Sequence, residues 1–274
     1  MNVSADTIEQ TLQRAMGAIQ NQRPDEAARL AQEVLKAEPR QPRALHLFGY
    51  AMLMQERPGE ALDPLEAAFK ALREPDIETQ IAIALRKLGR TDDALSRLMR
   101  AAKRKPVFPA VFHELGYTLH TLGRNDEAIE ALTRGIEAAP MMVELHLLLG
   151  WIYYDRGDGP KAKAAFGRVA AINPNHPDAH YCAGLALIDI GDVAQAAEHF
   201  RAALRGNPSD QQSRLRFGAC LLELGDTAAA CLRLVTRGGA DFYGNALKTL
   251  VTSGRGRFWL QPSEAAKFFK GERN

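Results

Sequence analysis

Apolar positions recur at intervals of three and four residues through most of the chain, in segments of helix length separated by short polar turns. This spacing places the apolar side chains on one face of an α-helix. Glycine in the turn supplies a left-handed residue that ends one helix, and a following Asp, Thr or Asn can cap the next one. The pattern therefore predicts pairs of helices joined by turns that contain Gly89, Gly123, Gly157, Gly191 and Gly225.

Small residues repeat along these pairs at an interval of 34 residues with one shorter step, at Gly49, Ala82, Gly116, Gly150, Gly184 and Gly218. An alanine follows each of them in the second helix, and prolines at 106, 140, 174 and 208 keep the same interval. A fixed period of this size indicates a repeat architecture, in which each unit covers the apolar face of its neighbour. We expect the small residues to lie where the two helices of a unit approach most closely.

The interval divides the chain into seven units, 8–41, 42–74, 75–108, 109–142, 143–176, 177–210 and 211–240. Residues 241–253 are apolar at helical spacing and predict a capping helix for the last exposed face. Residues 254–274 form a basic and aromatic tail. We expect this tail to fold back on the seventh unit; the alternatives are docking into a groove, with autoinhibition or self-association, and a free linear motif. Its candidate docking residues are Phe258, Trp259, Phe268 and Phe269, which are too apolar to stay solvated without a reason.

The fourth unit resembles a tetratricopeptide repeat, because the small and apolar positions of that family fall on Phe112, Leu115, Gly116, Leu119, Ala128, Leu132 and Pro140. The fifth unit matches equally well, and the resemblance covers residues 8–240. It departs from the family at Ala82, at Arg237 and in the second unit, which is one residue short. The resemblance implies an all-α fold, a right-handed α-solenoid whose first helices line a concave groove in which ligands lie.

The resemblance also assigns side chains to the groove. The partner-binding candidates are His46, Tyr50, Met54, Ile83, Arg86, His113, Tyr117, His120, Leu147, Trp151, Tyr154, Tyr181 and Leu185. Large aromatic rings give much contact area at low entropic cost and are enriched where binding energy concentrates. We expect the groove to bind an apolar or aromatic peptide or helix; packing between repeats is the alternative role for Tyr154 and Tyr181. The groove lacks the Lys and Asn clamp of chaperone-binding relatives and the asparagine ladder of sugar-transferase relatives.

Bulk composition narrows the class of protein. The 274 residues are 46% hydrophobic and 25% charged, as in soluble globular chains, and the formal net charge of +2 argues against nucleic acid as a partner. The cysteines Cys182, Cys220 and Cys231 are odd in number and lack metal-type spacing, which favours buried thiols in a reducing compartment. No signal peptide and no bilayer-spanning stretch is evident, so we expect a cytoplasmic protein that does not insert into a membrane.

Catalytic and metal chemistry find no support in the sequence. His113 and His120 are two helical turns apart, about 10.5 Å, which is too far for one metal ion. No phosphate-binding glycine loop, nucleophile elbow or zinc-protease motif is present. We therefore expect no catalytic residue, no metal and no cofactor. The leading hypothesis is a non-catalytic scaffold or adaptor; the alternative is a chaperone or assembly factor for a secretion or surface-appendage system.

Overall fold

The computed structural model describes residues 5–225, which form thirteen α-helices and no strand. In chain order these are α1 (Ala5–Gln20), α2 (Pro24–Ala37), α3 (Pro42–Met54), α4 (Pro58–Leu72), α5 (Pro75–Lys87), α6 (Thr91–Ala101), α7 (Pro109–Thr121), α8 (Asn125–Ala138), α9 (Val143–Asp155), α10 (Gly159–Ile172), α11 (Pro177–Asp189), α12 (Val193–Gly206) and α13 (Gln211–Glu223). The all-α fold is confirmed as an α-solenoid of helix pairs. The expected capping helix at 241–253 and tail at 254–274 lie outside the described residues.

The chain divides between Pro140 and Met141 into two compact units, each of which spans several repeats. We refer to these two parts of the chain as the first and the second unit. The first unit contains α1 to α8, and the described part of the second contains α9 to α13. Within each unit, every helix packs against the next one along the chain. Odd-numbered helices also contact one another, α1 with α3, α3 with α5 and α5 with α7 in the first unit, and α9 with α11 in the second. Even-numbered helices of the described range make no such contact of comparable extent. The odd-numbered helices therefore line what we call the inner face of each unit.

In four of the helix pairs, the glycine of the first helix packs directly on a large side chain of the second helix. A Cβ atom built on Gly150 would lie 2.5 Å from Phe166 Cε1, and one built on Gly116 would lie 2.7 Å from Leu132 Cγ. Both distances are well below van der Waals contact, and Phe166 and Leu132 are fully buried. Protein interiors pack too densely to absorb such an overlap without movement of the backbone. The predicted close approach of the two helices is thus confirmed.

The turn that ends each first helix has the same geometry in six successive pairs. A backbone N–H just after the turn donates to a carbonyl five residues earlier, for example from Arg124 to Leu119 at 2.9 Å and from Asp158 to Tyr153 at 2.9 Å. The turn residue has a positive φ, which is 73° at Gly123. This is the glycine-terminated helix end that the sequence predicted. The first two pairs adopt the same turn with non-glycine residues, since Gln22 and Glu56 both have φ of 57°.

Capping of the second helices differs in part from the expectation. Asp158 and Asp192 cap α10 and α12, accepting from the backbone N–H of the residue three positions later at 3.3 and 3.1 Å. The expectation was wrong for Thr91 and Asn125, which are the first residues of α6 and α8 and do not precede them. Arginine occupies the preceding position in those helices and in α2 and α4, and its guanidinium pairs with a carboxylate three residues on. No described helix combines the length and apolar character needed to cross a bilayer.

Candidate functional site

The groove residues proposed from the sequence all lie on odd-numbered helices. Those of α3, α5 and α7 belong to the inner face of the first unit, and those of α9 and α11 to that of the second. Tyr117 is 37% exposed and Leu185 is 8% exposed, while the other eleven are partly buried. Leu185 belongs to the apolar core of the second unit, with Leu187 and Phe200. The tail candidates Phe258, Trp259, Phe268 and Phe269 lie outside the described residues.

Arg86 of α5 and Tyr117 of α7 form the most exposed aromatic contact among these candidates. The guanidinium carbon of Arg86 lies 4.3 Å from the centroid of the Tyr117 ring, within the range of a cation–π interaction. Arg86 Nη2 lies 3.6 Å from Glu114 Oε2, and Arg86 Nε is buried and has no hydrogen-bond partner. The structure thus places this guanidinium between the Tyr117 ring and the Glu114 carboxylate, and 22% of the Arg86 side chain remains exposed.

Glu114 lies between two basic groups of this face. Its Oε1 is 3.3 Å from His113 Nδ1, and its Oε2 faces Arg86. The side chain of Glu114 is only 15% exposed, so these neighbours offset part of the cost of burying its charge. His120 has a different partner, since its Nδ1 lies 2.8 Å from Asn125 Oδ1 at the start of α8. The two histidines that the sequence placed on one face therefore contact separate groups.

His46 of α3 connects to the next odd-numbered helix. Its Nε2 lies 3.0 Å from Gln80 Oε1 of α5 and 3.7 Å from Asp76 Oδ2. Sequence reasoning did not assign Gln80 or Asp76 to the site. A signal was available for Gln80, because it follows His46 by 34 residues, the repeat interval itself, and so occupies the neighbouring place on the next helix. No comparable signal marks the pair Arg86 and Tyr117, which are 31 residues apart.

The inner face of the second unit carries a cluster of aromatic rings. Trp151 contacts Tyr154 and Phe166 edge to face, with ring centroids 5.7 and 5.5 Å apart, and Tyr181 contacts Phe200 at 5.9 Å. Phe166 and Phe200 are fully buried, so the rings of the inner face rest on the core. Burial raises the pKa of the Tyr154 hydroxyl, and the charge of Asp189 raises it further. These rings combine packing against the core with a partly exposed surface.

Two titratable groups that the sequence left unassigned also meet in the second unit. His180 Nδ1 lies 3.3 Å from His199 Nδ1, and His180 Nε2 lies 2.8 Å from the carbonyl oxygen of Pro174. Burial lowers the pKa of His199, and the adjacent His180 and Lys163 lower it further. The pair links α11 to α12, the two helices of one repeat.

The thiols of Cys182 and Cys220 are buried and free. Burial raises the pKa of each to about 12. The sequence-based interpretation of these two residues as buried thiols is confirmed, and Cys231 lies outside the described residues.

Repeated helix pairs whose first helices share one face define the class of this protein as a helical-repeat solenoid. Comparison with sequence families gives the same result in detail. The tetratricopeptide repeat profile matches residues 12–74, 79–143 and 181–241, and a second tetratricopeptide repeat profile matches residues 119–186. The chain belongs to the tetratricopeptide repeat family, whose repeats typically mediate protein–protein interaction. No curated protein matches the sequence significantly.

Solved structures with the same fold come from diverse organisms. PilF of Pseudomonas aeruginosa superposes with a TM-score of 0.62 at 16% identity, covering 76% of this chain and 95% of PilF. Human IFIT1, solved as a dimer with m7Gppp-AAAA, has a TM-score of 0.65 at 14% identity and covers 97% of this chain and 69% of its own. MamA from Desulfovibrio magneticus has a TM-score of 0.52 at 23% identity, covering 62% and 96%. At these identities the likeness shows the fold alone.

Proposed function

We propose that this protein is a non-catalytic scaffold that binds a peptide or helix of another protein on the inner face of its first unit. The observation that carries the proposal is the exposed ring of Tyr117 held over the guanidinium of Arg86. Tyrosine and arginine are over-represented among residues that dominate binding energy at protein interfaces. Here the two side chains are already ordered against each other, so they would lose less conformational entropy when a partner binds.

The chemistry of the partner follows from what surrounds this pair. Tyr50 and Ile83 occupy the equivalent place on α3 and α5, and both are partly exposed. Together with Tyr117 they offer apolar contact area, while Arg86 offers guanidinium N–H groups on a side chain that is 22% exposed. A peptide or helix with apolar or aromatic side chains and one hydrogen-bond acceptor would satisfy both requirements. The partly exposed rings of Trp151, Tyr154 and Tyr181 are proposed as a separate contact surface on the second unit. The buried free thiols favour a reducing compartment such as the cytoplasm.

Photo-crosslinking tests the face directly. A photoreactive phenylalanine analogue is placed at Tyr117 or, as a matched control, at Met99, which is 41% exposed on the even-numbered helix α6. We expect a specific crosslinked partner from cells that naturally express the protein at Tyr117 and none at Met99. Equal crosslinking at both positions would contradict the proposal.

Affinity for the crosslinked partner then measures the contribution of the pair. Tyr117→Ala and Arg86→Ala should each weaken binding by about tenfold or more, as expected for residues that contribute over 1.4 kcal/mol. Met99→Ala should leave the affinity unchanged. Circular dichroism of each variant checks that the helices are intact. Full affinity in a folded Tyr117→Ala variant would show that the partner binds elsewhere.

A further inference from the structure

Three side chains that can ligate a metal ion converge at the contact between α3 and α5. One ligand atom each from His46, Glu74 and Asp76 lies within 4.8 Å of the other two. The imidazole of His46 is mostly buried, with 13% of the side chain exposed, whereas the two carboxylates are more accessible. A fourth donor, Gln80 Oε1, lies 3.0 Å from His46 Nε2.

The chain connection at this point explains why Glu74 reaches the cluster. Only Arg73 and Glu74 separate α4 from α5, whereas four or more residues join the other second helices to the first helix that follows within the described range. Arg73 makes the short connection possible by adopting the left-handed conformation, with φ of 58°. Glu74 therefore directly precedes α5, and its carboxylate does not cap that helix. This is also the one place where the 34-residue interval is a residue short.

No basic side chain in the described range neutralises the two carboxylates. Neither Glu74 nor Asp76 forms an ion pair with a lysine or arginine there, and Asp76 Oδ2 lies 3.7 Å from the imidazole Nε2 of His46. Arg73, which is adjacent in sequence, lies over the Phe69 ring instead. The positive end of the α5 dipole explains why acidic residues are tolerated at this position. The imidazole of His46 is held beside them by its hydrogen bond with Gln80 of α5.

The geometry points to a binding site for one divalent transition-metal ion, with Zn²⁺ as the best match, formed by His46, Glu74 and Asp76. Imidazole nitrogen favours Zn²⁺ and its neighbours over Ca²⁺ and Mg²⁺, and carboxylate oxygens complete common zinc ligand sets. This inference is independent of the proposed protein-binding function and departs from the sequence-based expectation of no metal.

Occupancy of the site requires modest movement of side chains. Metal–ligand bonds of about 2.0–2.2 Å place neighbouring donor atoms closer together than the present 4.8 Å limit. Glu74 and Asp76 can rotate inwards because they are accessible, while His46 stays in place against α5. His46 Nε2 would exchange its contact with Gln80 for the metal, and Gln80 Oε1 is positioned to serve as a further oxygen ligand. A bound ion would thus join α3 to α5 through side chains of both.

Titration of the metal-free full chain with Zn²⁺, followed by calorimetry, tests the site. We expect one saturable equivalent that is weakened at least tenfold in Asp76→Asn and in His46→Gln. Asp76→Asn is the more informative variant, because Asp76 is accessible and its replacement keeps the shape of the side chain. His113→Gln serves as the matched control, since His113 lies on the same face next to a different carboxylate. A His180→Gln variant measures how much the pair of His180 and His199 contributes to Zn²⁺ binding.

Substitution of Co²⁺ for Zn²⁺ gives a second readout, because four- or five-coordinate ligation by His46 and the carboxylates produces a visible absorption band that is much more intense than that of aqueous Co²⁺. We expect this band in the wild type and in His113→Gln, and its loss in His46→Gln. Unchanged Zn²⁺ affinity in both His46→Gln and Asp76→Asn would overturn the inference. The absence of a saturable Zn²⁺ equivalent would also overturn it. If Glu74→Gln and Asp76→Asn then weakened binding of a protein partner, the carboxylates would instead bind a basic side chain of that partner.

Discussion

Gly150 shows how a single residue sets the distance between two helices. The Phe166 ring occupies the space that a Cβ atom of residue 150 would need, with three ring carbons within 2.9 Å of that position. The glycine is therefore required by the close approach of α9 and α10, since its backbone is an ordinary helix. Gly184 faces Phe200 in the same way in the next pair. The recurring glycine thus reflects one steric constraint, which is seen at Gly49, Gly116, Gly150 and Gly184.

Replacing Gly150 with alanine should lower the free energy of unfolding by about 1–3 kcal/mol, because overpacking forces the ring or the backbone to move. The matched control is Gly167→Ala. Gly167 also lies inside a helix, but nothing comes within 4 Å of its Cβ position. The control should be neutral or gain about 0.5–1 kcal/mol from helix propensity. Urea denaturation followed by circular dichroism measures both; equal effects of the two substitutions would refute the steric account.

Gln22 shows how a helix end can tolerate an unfavourable residue. Gln22 follows α1 with φ of 57°, at the position that glycine occupies in later helix pairs. Glu56 follows α3 with the same φ. A side chain in the left-handed region costs about 1–2 kcal/mol, which the hydrogen bond from the Arg23 N–H to the Ala18 carbonyl helps to offset. Glycine is thus the most favourable residue at this position of the turn, but the turn also forms with glutamine or glutamate.

Gln22→Gly should therefore stabilise the protein by about 0.5–1 kcal/mol, because it removes the steric cost and keeps the backbone hydrogen bond. The reverse substitution, Gly123→Ala, should destabilise it by about 1 kcal/mol, since φ at residue 123 is 73°. Thermal unfolding measures both shifts. A lower melting temperature for Gln22→Gly would show that the glutamine side chain has a role that the structure does not reveal.

The two described cysteines both belong to the second compact unit, and the described part of the first unit contains none. Because Cys182 and Cys220 are buried and their pKa values are raised to about 12, few thiolates form at neutral pH in the folded state. Thiol reactivity therefore reports the opening of this unit separately from the rest of the molecule.

In a Cys231→Ser variant, the two remaining thiols should react with Ellman's reagent at pH 8 more slowly in the folded protein than in denaturant, because the thiolate fraction is about a thousandfold smaller. Burial slows the reaction further. The rate should increase as the pH approaches 12, since the thiolate is the reactive form. Stopped-flow absorbance measures the rates; rapid reaction of both thiols in the folded protein would contradict their burial.

The periodic spacing of apolar, glycine and proline residues was enough to predict the helices, their pairing, the glycine turns and the buried small residues. These features depend on interactions within one helix pair, such as the fit of Gly150 against Phe166, and a linear pattern records them directly. The sequence also placed the groove candidates on the first helices. It did not distinguish Leu185, which is buried, from Tyr117, which is exposed, because both directly follow the recurring glycine and so occupy the same position of the repeat.

Contacts between successive repeats that do not follow the 34-residue interval were decided only in three dimensions. The stacking of Arg86 on Tyr117 depends on the offset between α5 and α7 and on the rotamers of two long side chains, which no interval in the sequence specifies. The convergence of Glu74 and Asp76 on His46 depends on a connection that the left-handed Arg73 makes short. The sequence by itself therefore determined the repeated helix pair, because its interactions are local and recur; the tertiary structure determined which side chains of different pairs meet, because that depends on how the helices are stacked.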